Sequence, residues 1–184
     1  MRWLMMAALA IPGLALSANP AGECVSGPKV GQRPGPYSFV MSTGDQRGKS
    51  QCYICETENR PAVIVFARTF GEPLGKLAAG LDKALATHKA KDLRAWATIL
   101  NEDHSKIDAD VVAWAKKHAV GTLPVGVFED VNGPPSYRLH ADADVTVLLF
   151  VKQKVVANHA FRAGELTDAK IKAILDELPK IVGK

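Results

Sequence analysis

PAVIVFARTFGEPL, residues Pro61 to Leu74, contains the run on which the fold can be read. Ala62 to Arg68 (AVIVFAR) is continuously β-branched and aromatic, with no polar alternation. That is the pattern of a central strand covered on both faces. After the break at Thr69 to Pro73, Leu74, Leu77, Leu81 and Leu85 recur at spacings of three and four, which predicts an amphipathic helix with one buried face.

The flanking sequence supplies partners for this strand. Asn19 to Pro36, rich in Gly and Pro, reads as an extended segment leading into a short strand near Tyr37 to Met41. Downstream, Ala95 to Leu100 (AWATIL) reads as a second buried strand. Ser105 to Ala119 reads as a helix with Val111, Trp114, Ala115 and His118 along one side. Leu123 to Phe128 is a strand pattern interrupted by Gly126. Val145 to Val151 and Val155 to His159 bracket Lys152-Gln153-Lys154 as a hairpin, and Thr167 to Leu178 closes the chain as an amphipathic helix. Strands alternating with helices, followed by a hairpin, predict an α/β fold: a mixed sheet of parallel crossovers with antiparallel additions and helices on both faces.

Three stretches carry a family resemblance: VGQRPGPYSF (Val30 to Phe39), PAVIVFARTFGEPL, and DVTVLLFVKQKVVANHAFRAGELTDAKIKAIL (Asp144 to Leu175). Together they resemble the entry motif, first core strand with its helix, and closing hairpin with its helix, of the thioredoxin-like superfamily. The similarity is to its redoxin branch of peroxiredoxins and exported thiol-disulfide proteins. The resemblance implies a reactive cysteine where the first core strand meets the following helix, because free N–H groups at a helix start stabilise a thiolate. Here that position reads Thr69-Phe70-Gly71-Glu72-Pro73, without cysteine. The family's proline ahead of the closing hairpin aligns near Val145 and is also missing. Ordinary peroxidase chemistry is therefore not expected.

The one Cys-x-x-C, Cys52-Tyr53-Ile54-Cys55, stands upstream of the strand. Chain direction puts it at the strand's amino end, although Glu56 to Arg60 can span on the order of 17 Å, enough for the loop to fold back. Lys49 and Arg60 favour a thiolate there and Glu56 and Glu58 oppose it. Three roles stay open for Cys52 and Cys55: a displaced redox pair exchanging disulfides with a protein thiol or disulfide partner, a structural disulfide in a non-catalytic binding or scaffold module, or part of a metal site. Zinc would need Cys24 and a histidine to converge on the pair. Covalent haem attachment would need His where Glu56 stands, so no cofactor is expected. The histidines at 88, 104, 118, 140 and 159 lack metal-ligand spacing, and His118 reads as a packing residue. Asp142 and Asp144 read as a solvated turn.

The first residues set the expected compartment. Arg2, an apolar run from Leu4 to Leu16, and small residues at Ala15, Ser17 and Ala18 match a secretory signal peptide over residues 1–18, well short of the roughly 20 apolar residues that span a bilayer. The expected organisation is then a signal peptide at 1–18, an extended mature N-terminus at 19–36 and one domain at 37–184. Its location would be periplasmic or extracellular, with no stable membrane insertion after cleavage. Export permits disulfides, and the odd count among Cys24, Cys52 and Cys55 leaves one thiol over. Hydrophobic residues at 47% and charged residues at 23% exclude a disordered chain, and a scattered formal charge of +4 offers no basic stripe for nucleic acid.

Overall fold

The computed structural model describes residues 22–183. The proposed signal segment at 1–18 lies outside them. Seven strands form one mixed sheet: β1 (Phe39–Met41), β2 (Ser50–Gln51), β3 (Ala62–Ala67), β4 (Arg94–Leu100), β5 (Val125–Phe128), β6 (Val145–Val151) and β7 (Lys154–Phe161). Their order across the sheet is β2-β1-β5-β4-β3-β6-β7. The central run behaves as its composition dictates, because every residue of β3 is buried. Its neighbours are β4 in parallel and β6 antiparallel.

Helices lie on both faces, unevenly. Alternate β3 residues Val63, Val65 and Ala67 share a core with α2 (Glu72–Thr87), α3 (His104–Lys117), α4 (Asp168–Asp176) and α5 (Pro179–Val182). The predicted leucine stripe supplies the contact from α2, with Leu74, Leu77 and Leu81 buried and Leu85 partly so. Ala62, Ile64 and Phe66 point the other way, where the cover among the described residues is short: the five-residue helix α1 (Tyr53–Thr57), a 3-10 turn at Pro135–Tyr137, and the N-terminal segment. The closing helix, expected unbroken over Thr167 to Leu178, ends at Asp176 and resumes as α5 with Pro179 in its first turn. Proline has no N–H to continue a helix but suits the start of one.

Aromatic rings fill the second face. Tyr37 packs its ring against Phe39, Phe66, Phe128 and Tyr137, with centroids 5.3–6.0 Å apart. Its hydroxyl accepts from Trp96 Nε1 at 2.7 Å and shares a 2.8 Å hydrogen bond with Thr98 Oγ1, so three polar groups satisfy one another inside the core. Burial raises the Tyr37 phenol well above its ordinary pKa, against the opposing effect of its two hydrogen bonds, and it stays protonated. The N-terminal segment is tied along β7 and β6. Gly31 N–H donates to Val155 O, Val155 N–H donates to Gln32 O, and the buried Ser26 hydroxyl accepts from Thr146.

Gly126, which reads in the sequence as an interruption, lies inside β5 because nothing larger fits. A Cβ there would collide with the Val40 carbonyl and the Phe39 ring. The aromatic network supplies a stability test. Tyr37→Phe would strand the Trp96 N–H and the Thr98 hydroxyl, so stability should fall by about 1–3 kcal/mol. A lower urea midpoint at unchanged slope is the expected reading; an unchanged midpoint would show that the network contributes nothing.

Candidate functional site

α1 is where the two cysteines meet. Phe39 pairs with Gln51 across the β1–β2 hairpin, so the chain leaves β2 at Cys52 and crosses the second face before entering β3. Tyr53 and Ile54 are partly buried against the aromatic core and Thr57 is fully buried, its hydroxyl donating back to Tyr53 O at 2.8 Å. Tyr53 sits 5.9 Å from the Phe39 ring and 5.8 Å from that of Trp96. Those three anchors turn Cys55 and Glu56 outward. Cys55 is exposed and Cys52 half-buried, and the two are disulfide-bonded with their Cα atoms 5.3 Å apart. Glu58 ends the helix at a positive φ of 51°.

The bridge lies toward the amino end of β3. Lys152 N–H, in the β6–β7 turn, donates to Asn59 O at 3.2 Å, and Cys55 lines a groove together with Gln153 of the same turn. Ala62 pairs with Phe150, which places that turn beyond the first residue of β3. Phe70 and Pro73 follow the last residue of β3, roughly 17 Å away along six strand residues. The loop does not fold back toward them. Nor does Arg60 turn to the sulfurs, since its guanidinium pairs with Asp92 at 3.2 Å and Glu58 at 3.7 Å.

At the far end of β3, the position that the resemblance assigns to a thiol is packed shut. Gly71 caps α2, Trp114 Nε1 donates to Gly71 O at 3.2 Å, and Phe70 stacks edge-on against Trp114 at 6.2 Å. His118 fills the space over Gly75, where a Cβ would collide with its ring, and only 8% of its side chain is exposed. It is a packing residue, as expected. The remaining crevice holds about 160 Å³, and within it Thr69 donates its hydroxyl to Asp144 at 2.8 Å.

The other sequence candidates stay apart. Cys24 is buried and unpaired beside Arg162 and Glu165. Burial raises its thiol pKa, Arg162 opposes this, and Glu165 and Asp142 add to it. His159 bonds Glu177 at 3.0 Å, His140 lies 3.8 Å from exposed Asp142, and His104 lies 3.0 Å from Asp108, which also pairs with Arg47 of the β1–β2 loop. Among the described residues no three His, Cys, Asp or Glu side chains gather as a metal-binding group, so Cys24 and a histidine do not join the pair. No described helix is long and apolar enough to cross a membrane.

No protein-family model matches the chain, and no curated protein matches it in sequence. Solved structures do match in fold. A candidate protein disulfide isomerase from Bacteroides thetaiotaomicron superposes with a TM-score of 0.65 at 16% identity, over 88% of this chain and 96% of its own. A candidate thiol:disulfide interchange protein DsbE from Chlorobium tepidum gives 0.56 at 19% identity, over 82% and 98%. The peroxidoxin BcpB of Mycobacterium tuberculosis gives 0.55 at 17% identity, over 83% and 97%. The chain therefore has a thioredoxin-like fold. It carries a bridged Cys-x-x-C outside that fold's customary position.

Without a thiol between Thr69 and Pro73, the protein should consume hydrogen peroxide no faster than a variant lacking all three cysteines. Cysteine-dependent turnover in a peroxide assay would contradict this reading of the site.

Proposed function

We propose that this chain is an exported thiol-disulfide exchange protein whose reactive pair is Cys52 and Cys55. The reading is carried by one observation: on a fold whose customary reactive position holds Phe70 and Gly71, a disulfide is displayed on α1 with Cys55 exposed. The structural neighbours are named for disulfide interchange and isomerisation, which supports a protein thiol or disulfide as partner. Exchange needs no further group, because a partner thiolate attacks one sulfur, the other departs as a thiolate, and a second partner thiol resolves the mixed disulfide. The partner is oxidised by two electrons as the pair is reduced, and the reverse sequence reduces a partner disulfide.

The compartment belongs to the same proposal. Residues 1–18 would direct export and be removed, residues 19–36 would lead in, and residues 37–184 would form the domain. Neighbours named as DsbE-like or secreted support this compartment. The mass of the protein recovered from an exporting host should correspond to a start near Asn19; retention of the leader would count against export.

A structural role is the second reading, favoured by the way α1 plugs the aromatic face through Tyr53, Ile54 and Thr57. The two readings differ in potential. Equilibrating a Cys24→Ser variant in glutathione buffers should show the bridge opening at roughly −200 mV, near the poise of an oxidising compartment, whereas a staple would resist to below about −300 mV. Reduction should also leave the fold intact, with an unchanged far-ultraviolet spectrum.

A further inference from the structure

Resting on the exchange reading above, the geometry points to Cys55, the second cysteine of the pair, as the sulfur that carries the mixed disulfide. It also points to the groove between α1 and the Arg33–Pro36 segment as the seat of a partner's cysteine-bearing chain. Two observations converge. α1 buries Tyr53, Ile54 and Thr57 to different degrees and leaves Cys55 exposed, while Cys52 is half-buried where β2 ends. Attack on a disulfide depends on access to the sulfur attacked. Cys55 also lines a groove of about 310 Å³ whose walls include Arg33, Pro34, Pro36, Ile54, Glu58 and Gln153, and Cys52 is not part of that lining.

The groove is held in shape before any partner arrives. Gln32 O accepts from Val155 N–H at 2.9 Å, Tyr137 donates its hydroxyl to Gly35 O at 2.8 Å, and Asn59 O accepts from Lys152 N–H. A preformed seat avoids much of the ordering cost of association. Its volume admits a cysteine and the side chains beside it on an extended segment, but not a folded domain. Arg33 and Glu58 place both signs of charge on its walls, and Pro34, Pro36 and Ile54 give the apolar surface a polypeptide can cover.

The step follows from this placement. A thiolate of the bound polypeptide attacks Cys55 Sγ, the Cys52–Cys55 bond breaks, and Cys52 leaves as a thiolate that takes up a proton. A second thiolate of the partner then attacks the partner's own sulfur in the mixed disulfide, and Cys55 departs as a thiolate that is protonated in turn. The partner has lost two electrons and two protons, and the pair has gained them.

The test uses Cys24→Ser protein throughout. Glutathione is added to the oxidised protein and the reaction is quenched with N-ethylmaleimide, then mapped by mass spectrometry. Glutathione should be found on Cys55 and maleimide on Cys52; the opposite distribution would overturn the assignment. In parallel, Cys52→Ser and Cys55→Ser variants, each confirmed folded by circular dichroism, are offered a flexible decapeptide whose single cysteine is capped with thionitrobenzoate. The variant retaining Cys55 should release the chromophore at least tenfold faster than the variant retaining Cys52, and should react faster with the peptide than with the same cap on glutathione. Equal rates for the two variants would refute the choice of sulfur, and a faster reaction with glutathione would refute a polypeptide occupant. A Cys52–Cys55 bridge that never opens in the Cys24→Ser protein would sink the exchange reading, while the single-cysteine rates would still decide between the two sulfurs.

Discussion

Everything in this molecule follows from β3 being buried on both sides. A six-residue strand with no wet face obliges the chain to build a layer above and a layer below it. The first layer is ordinary, four helices on the face of Val63 and Val65. On the opposite face the described residues form no long helix, and Ile64 and Phe66 are covered by a ring cluster, a 3-10 turn, an N-terminal segment and one short helix. That helix is α1. The cysteines therefore sit on the piece of chain that closes the second face, and its inward side chains decide which sulfur faces water.

This arrangement separates the pair from the position that redoxin folds use. At the carboxyl end of β3 the helix start is intact, but Phe70, Trp114 and His118 pack around it and no thiol is offered. At the amino end the same layered fold holds the Cys52–Cys55 disulfide beside a groove. The two ends share β3 and little else. A fold-level likeness thus transfers the scaffold while leaving the chemistry to the residues that stand in each place.

Much of the scaffold was legible because it rests on periodicity. β3, β4, the β6–β7 hairpin and the leucine face of α2 are all written as runs or spacings of apolar residues, and the structure keeps each of them within a few residues. What escaped was set by partners distant in sequence. The two residues of β2 become a strand only because Phe39 lies across from Gln51. α1 is too short to show a helical period, and its seat depends on Phe39 and Trp96, residues 14 and 43 positions from Tyr53. Gly126 gave the wrong hint, since an absent side chain looks like a break until the Phe39 ring is seen to occupy its place. The spacing of Cys52 and Cys55 made their pairing readable, but not which of the two is exposed, because that depends on the face α1 turns to the core.

The central claim is that disulfide exchange belongs to the Cys52–Cys55 pair and not to Cys24. Its most direct measurement is the rate at which reduced, unfolded ribonuclease regains disulfides in a glutathione buffer containing this protein. The account predicts acceleration by the Cys24→Ser protein and none once Cys52 and Cys55 are also replaced by serine. Failure of the Cys24→Ser protein to accelerate the reaction, or acceleration that survives the loss of both Cys52 and Cys55, would contradict it.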